Sequence, residues 1–465
     1  MGSRNVDTLS AGTKLDIPET TDPAGPAPTP SQNLFVVGFN EFHRPLLESV
    51  TETQGCNFHP LLKQEELLSS ERIPIGQLVR EAHRRLDEFD GSVDGVCTYW
   101  DFPASCIVSI LAEERGLPQV PLEAILRCEH KYWSRVEQQK VIPNQVPRFV
   151  AVDPFDESVA EQIDLDFPFW LKPVKSFNSY LGFYIGGPED LEHAIGRIRA
   201  EIRHLAEAFN DVLAHVEMPP EIAAVDGWHC IAEEIVSGGR QCTLEGYEFA
   251  GEIHIYGVID SHRHPGKSTF SHYQYPSTLP ERVQQQMTQI STAVMTQIGY
   301  TGGAFNIEFF WDEDTDRLWL LEINTRVSQS HSELFASVDG QANHAIPVAL
   351  AMGKRPHFES RQGEYPCAAK FYLRAFSDGV VEHVADPERI ERIPLEVPGT
   401  RVELQVEPGD RLSAKGHQES YSYELAWVYV AGETEQDLQH KFDAVVDRLD
   451  IRIEELGLSG QKVIP

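Results

Sequence analysis

Phe305-Asn306-Ile307-Glu308 and, after a polar loop, Leu321-Glu322-Ile323-Asn324-Thr325-Arg326 decide how this chain is read. Phe305 to Trp311, a loop from Asp312 to Arg317, and Leu318 to Ile323 spell a strand, a turn and a return strand. Side chains two apart on a strand share a face. Asn306 and Glu308 therefore point one way, and Glu322, Asn324 and Arg326 point the same way from the partner strand. Directly opposed side chains in such a ribbon lie roughly 5 Å apart. Ile307, Phe309, Leu321 and Ile323 make the other face apolar, so the ribbon is half-buried with one face kept charged. Carboxylates and an amide oxygen, with no sulfur or imidazole, form the hard-oxygen donor set that magnesium prefers. Arg326 adds a planar fork suited to a phosphoryl or carboxylate oxygen. The competing reading is an ordinary polar strand pair facing solvent.

Outward from the hairpin, strands and helices are easy to place. Leu34-Phe35-Val36-Val37-Gly38 reads as a buried parallel strand, and Val93 to Thr98 as a second. A helix from Ala104 to Arg115 stops at Gly116-Leu117-Pro118, so the opening third is an open, mostly parallel α/β sheet. Gly38 starts no G-x-G-x-x-G fingerprint, which excludes the usual dinucleotide motif there. Glu123 to Lys140 reads as one helix, Phe149 to Val152 and Phe169 to Pro173 as strands, and Glu189 to Val216 as a long helical stretch. Cys230 to Asp260 alternates like antiparallel strands with turns at Gly238-Gly239 and Gly251. Glu281 to Ile298 is a helix closed by Gly299, Gln341 to Met352 another capped by Gly353, and Glu435 to Leu456 the last. The expected division is a disordered, proline-rich tail over 1–31, an α/β domain over 32–125, a central domain over 126–355 with a small lid at about 168–236, and a β-rich domain over 356–465.

The 465 residues suffice for several cores, and a formal charge of −33 sets up a field that repels nucleic acid and anionic membranes. Neither is expected as a partner. The 7 cysteines include no Cys-x-x-Cys pair and suit reduced thiols. No long apolar run and no signal-peptide pattern is present, so a cytoplasmic location is expected.

The hairpin motif resembles the metal-binding end of the ATP-grasp superfamily, and the resemblance extends over nearly all of residues 34 to 460. It implies an ATP-grasp fold, with an N-terminal pre-ATP-grasp domain and a C-terminal β-rich domain. It also implies ATP as co-substrate and magnesium held by Glu308, Glu322 and Asn324. A pair of ions is expected, with manganese able to substitute. Arg326 would stabilise phosphoryl transfer. Lys131 and Lys172 match ATP-contacting lysines, although a lone lysine is ordinarily a solvated surface charge. The phosphate loop that follows, Val174 to Gly182, keeps one glycine where the family has several. Lys175, Ser176 and Ser179 would supply side-chain donors in their place. Ile231 to Val236 resembles the adenine hinge, which gives Glu233 the adenine amino group and Glu234 and Val236 the ring through backbone groups. Gln241 stands where the family often has a ribose-binding glutamate.

Within the superfamily the chain looks like the subgroup of biotin carboxylases, purine-pathway ligases and L-amino-acid ligases. The implied reaction is a ligase joining a small carboxylic acid to an amine or amino acid through an acyl phosphate, with ADP and phosphate released. The position of the biotin-carboxylase glutamate, four residues beyond the arginine, is Ser330, and no Ala-Met-Lys-Met segment is found. Carboxylation through carboxyphosphate, and a nucleotide-binding protein without catalysis, are the alternatives. Ser330, His331 and Arg374 are the substrate candidates, with His331 a candidate proton acceptor. His262, His264 and His272 lack the ligand spacing of a zinc site and read as loop histidines. A homodimer is expected from the family and from the frequency of twofold dimers.

Overall fold

The computed structural model describes residues 32–68, 73–176, 180–236, 239–265, 269–414 and 422–455. The expected tail over 1–31 lies outside the described residues.

The opening α/β unit is a parallel sheet of β1 (Gln32–Phe39), β2 (Cys56–Lys63) and β3 (Gly95–Thr98), ordered β2-β1-β3. The sequence reading found β1 and β3 but missed β2, whose Cys-Asn-Phe-His-Pro start lacks a continuous apolar run. The helix Ala104–Arg115 forms as expected and ends on Gly116, whose φ of 66° lies in the left-handed region that glycine occupies without strain.

The second sheet is four-stranded and antiparallel, ordered β4-β7-β5-β6, from β4 (Phe149–Val152), β5 (Phe169–Pro173), β6 (Phe183–Ile185) and β7 (Cys230–Glu234). Helices Pro188–Glu201 and Arg203–Leu213 cover it through Leu191, Ile195, Ile198 and Ile202.

The third sheet is antiparallel. It contains β8 (Arg240–Phe249), β9 (Glu252–Arg263), β10 (Phe270–Tyr275), β11 (Ala304–Asp312) and β12 (Arg317–Asn324). It continues through β13 (Cys367–Ala375), β15 (Thr400–Leu404) and β16 (Tyr423–Gly432). Its order is β12-β11-β8-β9-β10-β13-β16-β15, so strands of the expected central and C-terminal units share one hydrogen-bonded surface. β14 (Gly379–His383) and β17 (Arg452–Glu455) form a separate ribbon. One face of the large sheet packs on the helix Glu281–Ile298 through Leu244, Ile307, Phe309 and Ile323. The other face carries Glu308 and Glu245, and further along it the helix Ser332–Asp339 packs through Leu334, Phe335 and Val338 on Ile259, Tyr275 and Tyr429.

Four expected helical segments differ in extent, among them Glu189 to Val216, which is the two helices Pro188–Glu201 and Arg203–Leu213. The segment expected as one helix over Glu123 to Lys140 is two, Leu122–Glu129 and Lys131–Val141. His130 adopts an extended conformation between them and caps the second by accepting from the Trp133 N–H at 3.3 Å. The helix expected from Gln341 begins at Ala345. The last helix ends at Leu449, not Leu456, because Asp450 turns left-handed (φ 45°) and Arg452–Glu455 pairs with β14.

Candidate active site

The hairpin has the register that the spacing demands: Asn306 lies opposite Asn324, and Glu308 opposite Glu322. Asn324 Nδ2 donates to Asn306 Oδ1 at 2.9 Å, and Asn306 Nδ2 donates to the Arg326 carbonyl at 3.1 Å. This commits the Asn324 nitrogen and leaves Oδ1 as the atom able to ligate a cation. Burial, reinforced by the facing Glu322 carboxylate, pushes the Glu308 carboxyl above its ordinary range. Burial acts on Glu322 in the same direction, but Lys131, Lys172 and Lys175 outweigh it and hold that carboxyl at about 2. A divalent cation between these oxygens supplies the charge that their mutual repulsion calls for, so the donor set fits the expected metal.

Lys131 sits at the start of its helix because its backbone N–H donates to the Val174 carbonyl at 2.8 Å. Its ammonium pairs with Glu322. Burial lowers the Lys131 pKa, with Lys172 and Lys175 adding to the effect against Glu322. Lys172, on β5, pairs with Glu233 on β7 at 2.5 Å. Lys131, Lys172, Glu233 and Glu322 line one cleft between the four-stranded sheet and the large sheet.

The hinge candidates behave differently from one another. Glu233 is 5% exposed, and both of its oxygens are engaged, one by Arg135 Nε at 2.6 Å and the other by Lys172. Burial opposes its ionisation, but Arg135 and Lys172 hold the carboxyl at about 2. The carboxylate thus fixes two cations in the cleft. Glu234 is half-exposed and accepts from the Arg148 backbone N–H at 3.2 Å. Val236 is half-buried beyond the strand end. Gln241 is buried, but its amide is spent elsewhere. Nε2 donates to Glu308 at 3.0 Å, and Oε1 accepts from Arg263 Nη2 at 2.5 Å. It buttresses the carboxylate pair. Lys175 is buried against Glu129, which also accepts from Thr325 Oγ1 at 2.9 Å. Ser179 lies outside the described residues.

Arg326 points at the α/β unit, where it pairs with Asp101, just after β3. His331, expected as a proton acceptor for substrate, is 2% exposed and holds Glu245 at 2.7 Å through Nδ1. Glu245 also accepts from the Ser328 N–H at 3.1 Å, from Tyr256 at 2.5 Å and from Asn343 at 3.3 Å. His331 therefore pins the loop after β12 to the sheet. Ser330 accepts from Lys370 Nζ at 3.0 Å. Arg374, expected as a substrate candidate, has a buried side chain bound to Glu424 at 2.6 Å and Ser422 at 3.0 Å.

Sequence reading missed Asp101, Arg135, Glu245 and Lys370. Alternation would have put Glu245 on the same face as Gln241, and helical spacing would have put Arg135 one turn after Lys131. Asp101 and Lys370 carry no local signal.

Residues 165–333 match the model of the ATP-grasp domain. The carbamoyl phosphate synthase large chain of Halomonas eurihalina is 27% identical over 218 residues, 47% of this chain. This chain spans only 18% of that relative's length. The L-amino acid ligase from Bacillus licheniformis superposes with a TM-score of 0.67 at 16% identity, covering 91% of this chain and 99% of the ligase. The biotin carboxylase domain of Hydrogenobacter thermophilus 2-oxoglutarate carboxylase, solved as a dimer with MgADP, gives 0.61 at 15% identity over 90% of each chain.

Proposed function

We propose that this chain, whose residues 165–333 form an ATP-grasp domain, is an ADP-forming ligase that joins a carboxylic acid to an amine. The observation that carries this reading is the opposed Glu308–Glu322 pair, with Asn324 at the end of the strand, Arg326 two residues beyond it, and Lys131 and Lys172 in one cleft with Glu322. A carboxylate oxygen of the acid attacks the γ-phosphorus of ATP, the bond to the bridging oxygen breaks, and ADP leaves. The amine nitrogen then attacks the acyl carbon, the C–O bond breaks with its electrons on phosphate, and the nitrogen's proton passes to the departing phosphate. Magnesium, when bound by Glu308, Glu322 and Asn324, neutralises charge on the transferred phosphoryl group. Lys131 and Lys172 orient the phosphates. Arg326, held by Asp101, binds the oxygen on which charge develops.

The expected division at 125 and 355, the lid at about 168–236, adenine recognition at Glu234 and Val236, and a homodimer belong to the same proposal. ADP release from Mg-ATP, measured over amino acids and small acids singly and in pairs, with and without bicarbonate, tests it. A requirement for an acid–amine pair supports the ligase. A requirement for bicarbonate alone replaces it with carboxyphosphate chemistry.

A further inference from the structure

A half-enclosed cavity of about 130 Å³ lies toward the end of the large sheet farthest from the Glu308–Glu322 pair. Its floor comes from β13, β16 and β15, and its roof is the helix Ser332–Asp339 through Glu333, Leu334 and Ser337. In the strand order β13 is four places from β11, which carries Glu308, and β15 is six. At about 4.8 Å per strand the cavity therefore lies roughly 19–29 Å along the sheet from the metal-facing pair.

Small residues keep this space open. Ala368 and Ala369 of β13 stand where strands ordinarily carry branched or aromatic side chains. Gly399 enters β15 with φ 82°, and a Cβ there would meet the Ala431 carbonyl oxygen at 2.6 Å, so no side chain is tolerated at that point.

Arg401 dominates the wall. Its Nη1 pairs with Glu333, its Nη2 donates to the Phe42 carbonyl at 2.7 Å, and its Cζ lies 3.8 Å from the Phe42 ring centre. Phe42 follows β1, so this one side chain fastens together the α/β unit, the helix after the Arg326 loop and the edge strand β15. The ion pair is not sealed: 31% of the Arg401 side chain and 17% of Glu333 remain accessible. Among the described residues that line the cavity these are the charged ones, and their charges cancel.

That balance selects the ligand. A monoanion would bind Arg401 by displacing Glu333 and leave that carboxylate unpaired, and a monocation would strand Arg401 in the same way. Leaving one member of a largely buried pair alone is costly. A molecule with both charges gives each side chain a new partner at once, its carboxylate on the planar guanidinium fork and its ammonium on the glutamate. Leu334 and Val430 offer apolar contact to a short hydrocarbon part. An apolar cavity of about 150 Å³ accommodates benzene, so this one holds roughly five to seven non-hydrogen atoms.

We propose that this cavity is a binding site for a small zwitterion the size of glycine or β-alanine, separate from the nucleotide cleft and filled without ATP. At its distance from Glu308 the occupant does not reach a phosphoryl group at the metal pair, so the site is not the pocket of the amine. Occupancy exchanges the Arg401–Glu333 contact that fastens the helix Ser332–Asp339 to β15.

Saturation-transfer NMR on the full chain, without nucleotide and at constant ionic strength, compares glycine and β-alanine with acetate and methylammonium. The zwitterions give saturable responses, and each single-charge compound binds at least tenfold more weakly. Ser337→Leu fills the cavity from the helix without touching the ion pair, and it removes the response while Tm holds. Arg401→Gln weakens zwitterion binding at least tenfold, and Arg326→Ala leaves it unchanged. No saturable response, or equal affinity in wild type, Ser337→Leu and Arg401→Gln, overturns the proposal. Acetate or methylammonium binding as tightly as glycine overturns the zwitterion assignment. A response lost in Arg326→Ala but kept in Ser337→Leu places the molecule in the nucleotide cleft and overturns the second site. None of these readouts needs turnover, so failure here leaves the ligase reading standing.

Discussion

Two ends of one sheet face handle buried positive charge in opposite ways. At the hairpin end Lys131, Lys172 and Lys175 each reach a carboxylate: Glu322, Glu233 and Glu129. At the β13 end Lys370 has aromatic rings and a hydroxyl instead. The first end is charge-compensated internally, and a nucleotide with its metal would exchange with those pairs: phosphates take over the lysines, and the cation takes over the carboxylates. At the second end, among the described residues, Glu424 and Glu403 act on Lys370 only from beyond ion-pair distance, and burial takes the lysine down to about 7. A desolvated ammonium is costly unless paired. The difference therefore assigns exchange of partners to the first end and a partly neutral lysine to the second.

The sharpest way to break the comparison is Glu322→Ala. Losing the carboxylate that answers both Lys131 and the metal is expected to reduce ADP release by about 10³-fold or more, and retained magnesium-dependent activity ends the metal assignment. Arg326→Ala comes next. Calorimetric ATP affinity should hold within a few-fold while turnover falls about 10²–10³-fold, and equal loss of both would make Arg326 a ground-state contact.

Glu233→Ala tests whether the compensated end is also structural. Removing one partner of a buried ion pair is expected to cost about 3–5 kcal/mol in denaturant unfolding. The sign with pH is fixed by its carboxyl, which sits at about 2 in the folded chain against an ordinary 4.5. Its stabilisation is present above the ordinary value and is lost as pH falls from there toward 2, so wild type and variant should converge in acid. The smallest effect is expected from Glu308→Gln. Relieving its repulsion with Glu322 should raise metal-free stability by about 1 kcal/mol, read as Tm, while weakening magnesium about tenfold.

The hairpin was legible because strand alternation is local: Glu308, Glu322 and Asn324 are set on one face by spacing alone, and the register then opposes them. The helix Ala104–Arg115 and the stops at Gly116 and Gly299 were legible for the same kind of reason, since glycine takes a left-handed cap at no steric cost. What alternation cannot give is a partner from a distant segment. Gln241 stands at a ribose position by order along the chain, but in space its amide braces Glu308. His331 looked like a loop base and is a buried anchor for Glu245. Arg374 is a substrate candidate by sequence, and in space it is bound to Glu424 on the neighbouring strand.

By itself, then, the sequence determined the fold class and the register that sets Glu308 opposite Glu322. Each of these depends on periodicities of a few residues that backbone geometry enforces. Only the tertiary structure decided that the C-terminal strands continue the same sheet, that Asp101 meets Arg326, and that Lys370 is buried against Trp427 and Ser330. Those groups come from segments far apart in the chain. Their charge states are set by burial and by neighbours that no local pattern of residues names.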